Sequence, residues 1–413
     1  TFGTGYTVDL ENVWHIVGNA CQGALKKAAI NPAAVASVAV AAMRFSTVVL
    51  DKDGQAILSM DNRDARSAGE YFEVADKLGQ ELLEGTGCWP LPLHASARLL
   101  WLRNQSAEKF NRVADLSGLG EWLNYRLCGA RALDATSASA TGLFSLAHRE
   151  WHWQAIDALQ LPHDMFPPVL PAGSPLGILS DNAATHLGLP PGVVLGLGGG
   201  DTQCSLLGAG VINAGQSAVV AGTTAPVQSV LASPAFDSAG KSMGTYHILP
   251  GRWILESNGG GMGLSVSLLA KILFADAPQT ELRLLAEAAL SEPGAAGMLS
   301  TLGAEVIDMQ SPGMPIGQLT LSHMSCMEDN YPRRHLARAL IEGCACSVRA
   351  NLEQLQSVLG RPVSTDNLIL CGGLSRSDVF AQILANITDR QVDVPRTHQT
   401  AALGAALCAG VAG

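Results

Sequence analysis

The sequence predicts an α/β fold in two domains. Three observations carry this. The chain has 413 residues, more than one ordinary core accommodates. Apolar runs of strand length alternate with helical patterns, the order that builds sheets covered by helices. Hairpin signals occur in both halves.

The elements follow in order. Asp9 precedes Val13, Val17, Ala20 and Ala24, which recur at helical spacing and predict a helix from about Val8 to Leu25. "VASVAVAAM" reads as a buried strand, and "STVVLDKDGQAI" as a hairpin turning at Asp53-Gly54. Glu70 to Asn111 reads as mostly helical, and "EWLNYRL" as a further helix. "LPHDMFPPVLPAGSPLG" holds five prolines and reads as a surface connection. A short helix in "DNAATHLGL" leads to a buried strand in "GVVLGLGGGD". "QSAVVAGTTAPVQSVL" is strand, turn, strand. Arg334 to Leu359 is a long helix with one apolar stripe, Leu336, Leu340, Cys344, Val348, Leu352, Leu355 and Leu359. Strand, glycine turn and helix follow in "NLILCGGLSRSDVFAQILANIT", then a strand in "QVDVP" and a small-residue helix in "TAALGAALCAGV".

Hydrophobic residues make up 47% and charged residues 15% of the chain, a balance that favours a packed core over disorder. The formal charge of −10 gives no global field for nucleic acid or an anionic membrane. A polyanion must then be held by backbone dipoles or through a bound cation. No apolar run reaches the roughly 18 residues of a membrane span and no signal peptide is visible, so a cytoplasmic location is expected. Nine scattered cysteines read as reduced, buried thiols. Cys344 and Cys346 in "GCACS" fall in a helical pattern, so they read as core and not as a metal pair.

Three glycine-rich turns follow strands: "GLGGGD", "VAGTTA" and "CGGLSRS". Backbone N–H groups at such turns and at helix starts bind phosphate without lysine. Neither a GxxxxGK[ST] pattern nor a well-placed GxGxxG occurs, which argues against both a P-loop and a dinucleotide fold. Asp201, straight after three glycines, is a helix cap or a catalytic acid.

In order along the chain, "GGGDTQCSLLGAG", "AGTTA", "CGGLSRSDVFAQILANIT" and "TAALGAALCAG" resemble the motifs of the FGGY carbohydrate kinases. "MRFSTVVLDKDG", "ARLLWL" and "GQLTLSHMSCMEDNYPRRHLARALIEG" add to the match, which covers nearly the whole chain. The resemblance implies a two-domain actin-like ATPase (ribonuclease H-like) fold: residues 1–209 an N-terminal, sugar-binding domain and 210–413 a C-terminal, ATP-binding domain. It implies ATP with magnesium, a sugar and ATP meeting in the cleft between domains, and a small sugar or polyol as partner. A homodimer is the assembly considered; nucleic acid and membrane are not partners.

The resemblance also assigns roles. Asp201 becomes the general base that takes the proton of the attacking hydroxyl. Gly222, Thr223 and Thr224 hold the β- and γ-phosphates, although judged alone they are a threonine-rich hairpin turn. Gly263 matches a glycine whose backbone approaches ATP. Gly372 and Gly373 match the adenosine motif, with Ser375 and Ser377 behind them, and those serines also suit plain caps. On the sugar side Met43, Arg44, Asp201 and Thr202 are the candidates. The glycerol kinase branch carries an arginine and then an acid, but here Phe45 follows Arg44. Ketose kinases carry Met-His, and Met43 fits the first half. Met-Arg, with "DNRDARSA" later, is closer to kinases of the linear dihydroxy-pentanedione signal autoinducer-2. A surface ion-pair role for Arg44 is the plainer alternative. His94 and Asp64 suit a site wall or a structural role equally; His148 and His152 lack a third ligand and read as surface. No metal-ligand set is assigned.

Family members open with a hairpin bearing Asp-x-Gly-Thr, and none precedes the first helix here. "FGTGY" offers Gly-Thr without the aspartate or the strand. The expectation is an N-terminal domain truncated at its start and poor ATP turnover by the chain as it stands. The rival expectation is an impaired actin-like nucleotide-binding regulatory module. A glycoside hydrolase is set aside, because no motif places a second acid near Asp201.

Overall fold

The computed structural model describes residues 5–275, 278–311, 320–322, 333–360 and 367–413. Of the stretch from Gly317 to Gly343, residues 317–319 and 323–332 lie outside the described residues, as do Cys326 and Phe2–Thr4 of "FGTGY". By compactness the chain divides into two units. One comprises Thr1–Gly208, Gly244–Trp253 and Ala401–Gly413; the other comprises Ala209–Met243 and Ile254–Thr400. The folded units are therefore not consecutive blocks of sequence.

The first unit holds two three-stranded sheets. Strands β1 (Ser37–Ala42), β2 (Thr47–Asp51), β3 (Ala56–Met60), β4 (Val113–Ser117), β5 (Pro175–Ile178) and β6 (Val194–Gly200) are ordered β1-β6-β5 and β3-β2-β4. β1 and β6 run parallel, Ser37 opposite Val194 and Ala42 opposite Gly200. β2 and β3 form the antiparallel hairpin that Asp53-Gly54 announces. The first helix, Leu10–Ala28, starts where Asp9 accepts the Asn12 N–H at 3.0 Å, as an N-cap should. Trp14, Val48, Leu50, Trp122, Leu123 and Leu195 lie in one apolar cluster, so helix and sheets share a core.

Two sequence expectations change. β1 is half-buried along its whole length and not fully buried. The proline-rich stretch is not merely a surface connection: Leu161, Met165 and Phe166 are buried, and Pro175–Ile178 pairs antiparallel with β6. Its prolines end helices, but its apolar residues still have a core to fill. Phe166 sits edge-on to Trp151 at 4.9 Å between ring centroids.

A six-stranded sheet comprises β7 (Ser217–Val220), β8 (Pro226–Leu231), β9 (Met243–Tyr246), β10 (Trp253–Asn258), β13 (Leu368–Cys371) and β14 (Val392–Asp393), ordered β14-β13-β7-β8-β10-β9. Between these in the chain, β11 (Leu299–Ser300) and β12 (Leu321–Ser322) form a short pair. The long helix Arg333–Leu359 buries Leu340, Cys344, Val348, Leu352 and Leu355 of the predicted stripe and Ile341 beside it, while the stripe's ends, Leu336 and Leu359, are half-buried. It packs on the helix Asp378–Thr388, which buries Phe380, Ile383 and Leu384.

Candidate active site

Asp201 stands where β6 ends and the helix Asp201–Gly208 begins. Its Oδ1 accepts the Thr202 N–H at 2.8 Å and the Thr202 hydroxyl at 3.2 Å. Thr202 is itself buried. The glycines before Asp201 have a packing reason. A β-carbon on Gly200 would stand 2.7 Å from Gln203 Oε1 and 2.9 Å from Arg44 Cγ, closer than side chains tolerate.

That contact brings together two residues, Arg44 and Gly200, that the sequence places 156 positions apart. Arg44 follows β1, and its stem lies along the Gly200 backbone just before Asp201. Met43 beside it is exposed. Phe45 next in line adopts φ 61°, a left-handed conformation strained for an aromatic residue. Arg98 holds it there. This arginine, buried in "ARLLWL", donates to Phe45 O at 2.6 Å, Thr47 Oγ1 at 3.0 Å, Asp61 O at 2.6 Å and Asp64 O at 3.2 Å. His94 stacks on the Phe45 ring, 5.9 Å between centroids. Burial, with the Arg98 charge behind it, pushes the His94 imidazolium down to about 3, so the ring is neutral, and its Nδ1 accepts the Leu91 N–H. Asp64 is fully buried. Burial raises its carboxyl, but Arg66 and the N–H groups of Arg66 and Tyr6 outweigh that and hold it below its usual range. Both His94 and Asp64 therefore shape the Met43–Phe45 turn from behind.

The second unit gathers its glycine turns around Ala221–Ala225. Gly222 N–H closes the turn on Thr224 O at 2.9 Å, leaving Thr223 and Thr224 exposed at the tip between β7 and β8. Ala225 N–H donates to Gly260 O at 3.2 Å and Gly259 N–H to Ala225 O at 3.0 Å, tying on the loop that opens the helix Met262–Leu273. Gly263, in that helix's first turn, rests directly on Gly222. From the other side Ala221 N–H donates to Cys371 O at 2.9 Å and Leu374 N–H to Ala221 O at 3.1 Å. Gly372, at φ 86°, makes that approach possible, and Gly373 faces open space. Gly222, Thr223, Thr224, Gly263, Gly372 and Gly373 are thus one surface of main chain and threonine hydroxyls. Ser375 and Ser377 are buried instead. Ser375 donates to Gly372 O at 2.7 Å and meets His398 Nδ1 at 3.1 Å, while Ser377 caps the helix Asp378–Thr388 through the Phe380 N–H.

Sequence reasoning missed the polar group beneath Asp201. Asp134 caps the short helix Ala135–Ser139, accepting from Thr136 and Ser137 N–H at 2.8 and 3.1 Å. Thr136 Oγ1 accepts the Gly200 N–H at 2.8 Å. "LDATSAS" carries an N-cap signal, but nothing local reveals a partner 64 residues away. Glu121, also buried, accepts the Gly118 N–H at 3.0 Å; burial pushes its carboxyl up to about 7.

His148 is exposed as expected, but His152 is half-buried and caps the helix Trp153–Ala158, its Nδ1 accepting the Ala155 N–H. Among the eight described cysteines Cys346 is exposed and Cys21 and Cys128 are half-buried, against the expectation of core thiols. Among the described residues no three His, Cys, Asp or Glu side chains cluster as a cation site, and no helix is long and apolar enough to cross a membrane.

Comparison with known proteins defines the class. Residues 5–208 match the N-terminal domain and residues 218–413 the C-terminal domain of the FGGY family of carbohydrate kinases. An autoinducer-2 kinase from Salmonella typhimurium strain LT2 is 31% identical over 419 residues, covering 98% of this chain and 77% of that protein. Among solved structures, a xylulose kinase from Rhodospirillum rubrum is 25% identical with a TM-score of 0.77, covering 91% of this chain and 75% of the other. A Plasmodium falciparum glycerol kinase solved with ADP superposes with a TM-score of 0.83 at 19% identity, over 99% of this chain and 81% of the other, and so speaks to fold. The chain belongs to the FGGY family of carbohydrate kinases. It has that family's two-domain α/β fold and is a phosphotransferase that passes phosphate from ATP to a hydroxyl of a small sugar, polyol or sugar-like compound. The regulatory-module reading is not favoured.

Proposed function

We propose that the acceptor is a short linear polyhydroxy ketone of the autoinducer-2 type, phosphorylated in the cytoplasm with magnesium-bound ATP. The observation that carries this is Arg44, next to Met43 in the chain, lying against Gly200 beside Asp201, in a chain 31% identical to an autoinducer-2 kinase. Asp201 is the general base: its carboxylate takes the proton as the acceptor oxygen attacks the γ-phosphorus, and the β–γ bridging oxygen leaves with ADP. Thr202 orients that carboxylate through its two hydrogen bonds. Arg44 offers a planar donor fork to the acceptor's carbonyl and hydroxyl oxygens.

ATP is proposed to rest on the second unit's glycine surface. The exposed Thr223 and Thr224 hydroxyls donate to its phosphates, Gly222 holding their turn through its own N–H, and the start of the helix at Met262 adds a positive dipole end. Gly372 and Gly373 leave room for adenosine, with Ser375 and Ser377 fixing their turn. Magnesium is proposed to travel on the phosphates, where it neutralises charge that a chain of net charge −10 does not. A homodimer is proposed as the assembly, measured by light scattering.

The test is an ADP-release assay over linear dihydroxy-pentanedione, xylulose, gluconate and glycerol. The proposal requires the first to have the highest kcat/KM, and preference for any other overturns it. Asp201→Asn should lower kcat by about 10²–10⁴-fold with ATP binding preserved; undiminished turnover removes the base from Asp201.

A further inference from the structure

β6 is the middle strand of its sheet, but β5 accompanies it only from Val194 to Gly196. Beyond that point its free edge needs other partners, because a buried N–H without an acceptor is costly. Leu197 is served on that side by the chain at Gly173 and Ser174. At Gly200, the last residue before Asp201, the acceptor is a side chain, Thr136 Oγ1 at 2.8 Å.

Thr136 is itself fixed. It is fully buried, and its N–H donates to Asp134 Oδ2 at 2.8 Å. Held by that bond, the residue turns a lone pair of its hydroxyl to Gly200 N–H. The contact is close on all sides. A β-carbon on Gly199 would stand 2.9 Å from both Asp134 Oδ2 and Thr136 Oγ1. Neither Asp134 nor Thr136 has an exposed surface to offer a ligand.

We propose that Thr136, locked by Asp134, is a positioning residue for phosphoryl transfer: its hydroxyl holds the Gly200 peptide and so sets the direction in which Asp201 leaves β6. This rests on Asp201 being the base. A base must come within hydrogen-bond reach of the hydroxyl it deprotonates, and small displacements there cost rate. Thr136 is fully buried and acts through the Gly200 peptide alone, so its loss is expected in kcat before either KM.

The experiment measures kcat, KM for ATP and KM for the acceptor in Thr136→Val, Thr136→Ala, Thr136→Ser and Asp201→Asn, each checked for a folded melt. The expected result is a fall in kcat of about tenfold or more for Val and Ala with both KM values unchanged, and near-complete recovery in Ser. Wild-type kcat in a folded Val or Ala variant, or loss in a folded Ser variant, overturns the proposal. Amide exchange at Gly200 in the wild-type protein gives a reading that needs no variant: protection is expected, and exchange at the rate of an open loop overturns it. Asp201→Asn separates the two levels. If it stays active, the base assignment fails; if it is inactive while Thr136→Val turns over normally, only the positioning role fails.

Discussion

Gly263 meets Gly222 backbone to backbone: a β-carbon on Gly263 would lie 2.1 Å from the Gly222 carbonyl oxygen and 3.2 Å from Thr223 Cα. No side-chain adjustment relieves this, since the obstacle is main chain. The glycine is therefore a condition for the helix Met262–Leu273 to dock on the threonine turn.

Gly263→Ala should push the helix start and the turn apart. The expected outcome is a rise of about tenfold or more in KM for ATP, the equivalent of at least 1.4 kcal/mol, with KM for the acceptor unchanged. Tryptophan fluorescence supplies a control, because all seven tryptophans fall in the first unit. Its thermal transition should stay in place. An unchanged ATP KM would separate Gly263 from nucleotide binding.

The corresponding prediction for the first unit concerns Gly200. In Gly200→Ala the new methyl group competes with Arg44 Cγ and with the buried Gln203 amide. Overpacking of this kind costs about 1–3 kcal/mol. The flexible arginine stem is the part able to yield, so the acceptor KM should rise by about tenfold while ATP KM holds. Removing the guanidinium outright in Arg44→Met should raise the acceptor KM at least as far. Equal acceptor KM values in wild type and both variants would place Arg44 outside the acceptor site.

Much of this site was legible in the sequence because its parts are local. A strand, three glycines and an acid place Asp201 at a strand end whatever the tertiary context. Gly222-Thr223-Thr224 turns for the same reason, and Asp9 caps its helix with a residue three positions on. What was not legible depends on partners far along the chain. Arg98 reads as one more helical arginine until its acceptors appear, 53 and 37 residues away. Thr136 reads as part of a short helix until Gly200 N–H arrives. Ser375 and Ser377 show the opposite case: the motif drew attention to hydroxyls that the fold spends on its own turn. Met165 and Phe166 were misplaced because proline density reports on backbone regularity and not on burial.

The last prediction concerns Glu121, whose buried carboxyl sits at about 7 in the folded protein against 4.5 unperturbed. Burial is the main cause and the nearby Asp134 adds to it, while hydrogen bonds from Ser137 and from the Gly118 main chain pull the other way. The folded state therefore binds this proton more tightly than the unfolded state. Between pH 4.5 and 7 the native protein carries the extra proton, so stability falls as pH rises through that window and the full penalty is present above 7. A shift of this size corresponds to at most about 3 kcal/mol. Glu121→Gln keeps the shape and cannot ionise, so it should lose less stability than wild type between pH 5 and pH 8. Neutral His94 contributes with the opposite sign below 6.5, where the unfolded chain gains a proton that the buried ring refuses. That contribution is common to both proteins and cancels in the difference. Urea unfolding followed by tryptophan fluorescence reads the first unit directly, with Trp122 next to the substituted residue. The variant should gain on wild type as pH rises, and parallel pH profiles would mean that Glu121 titrates in its ordinary range.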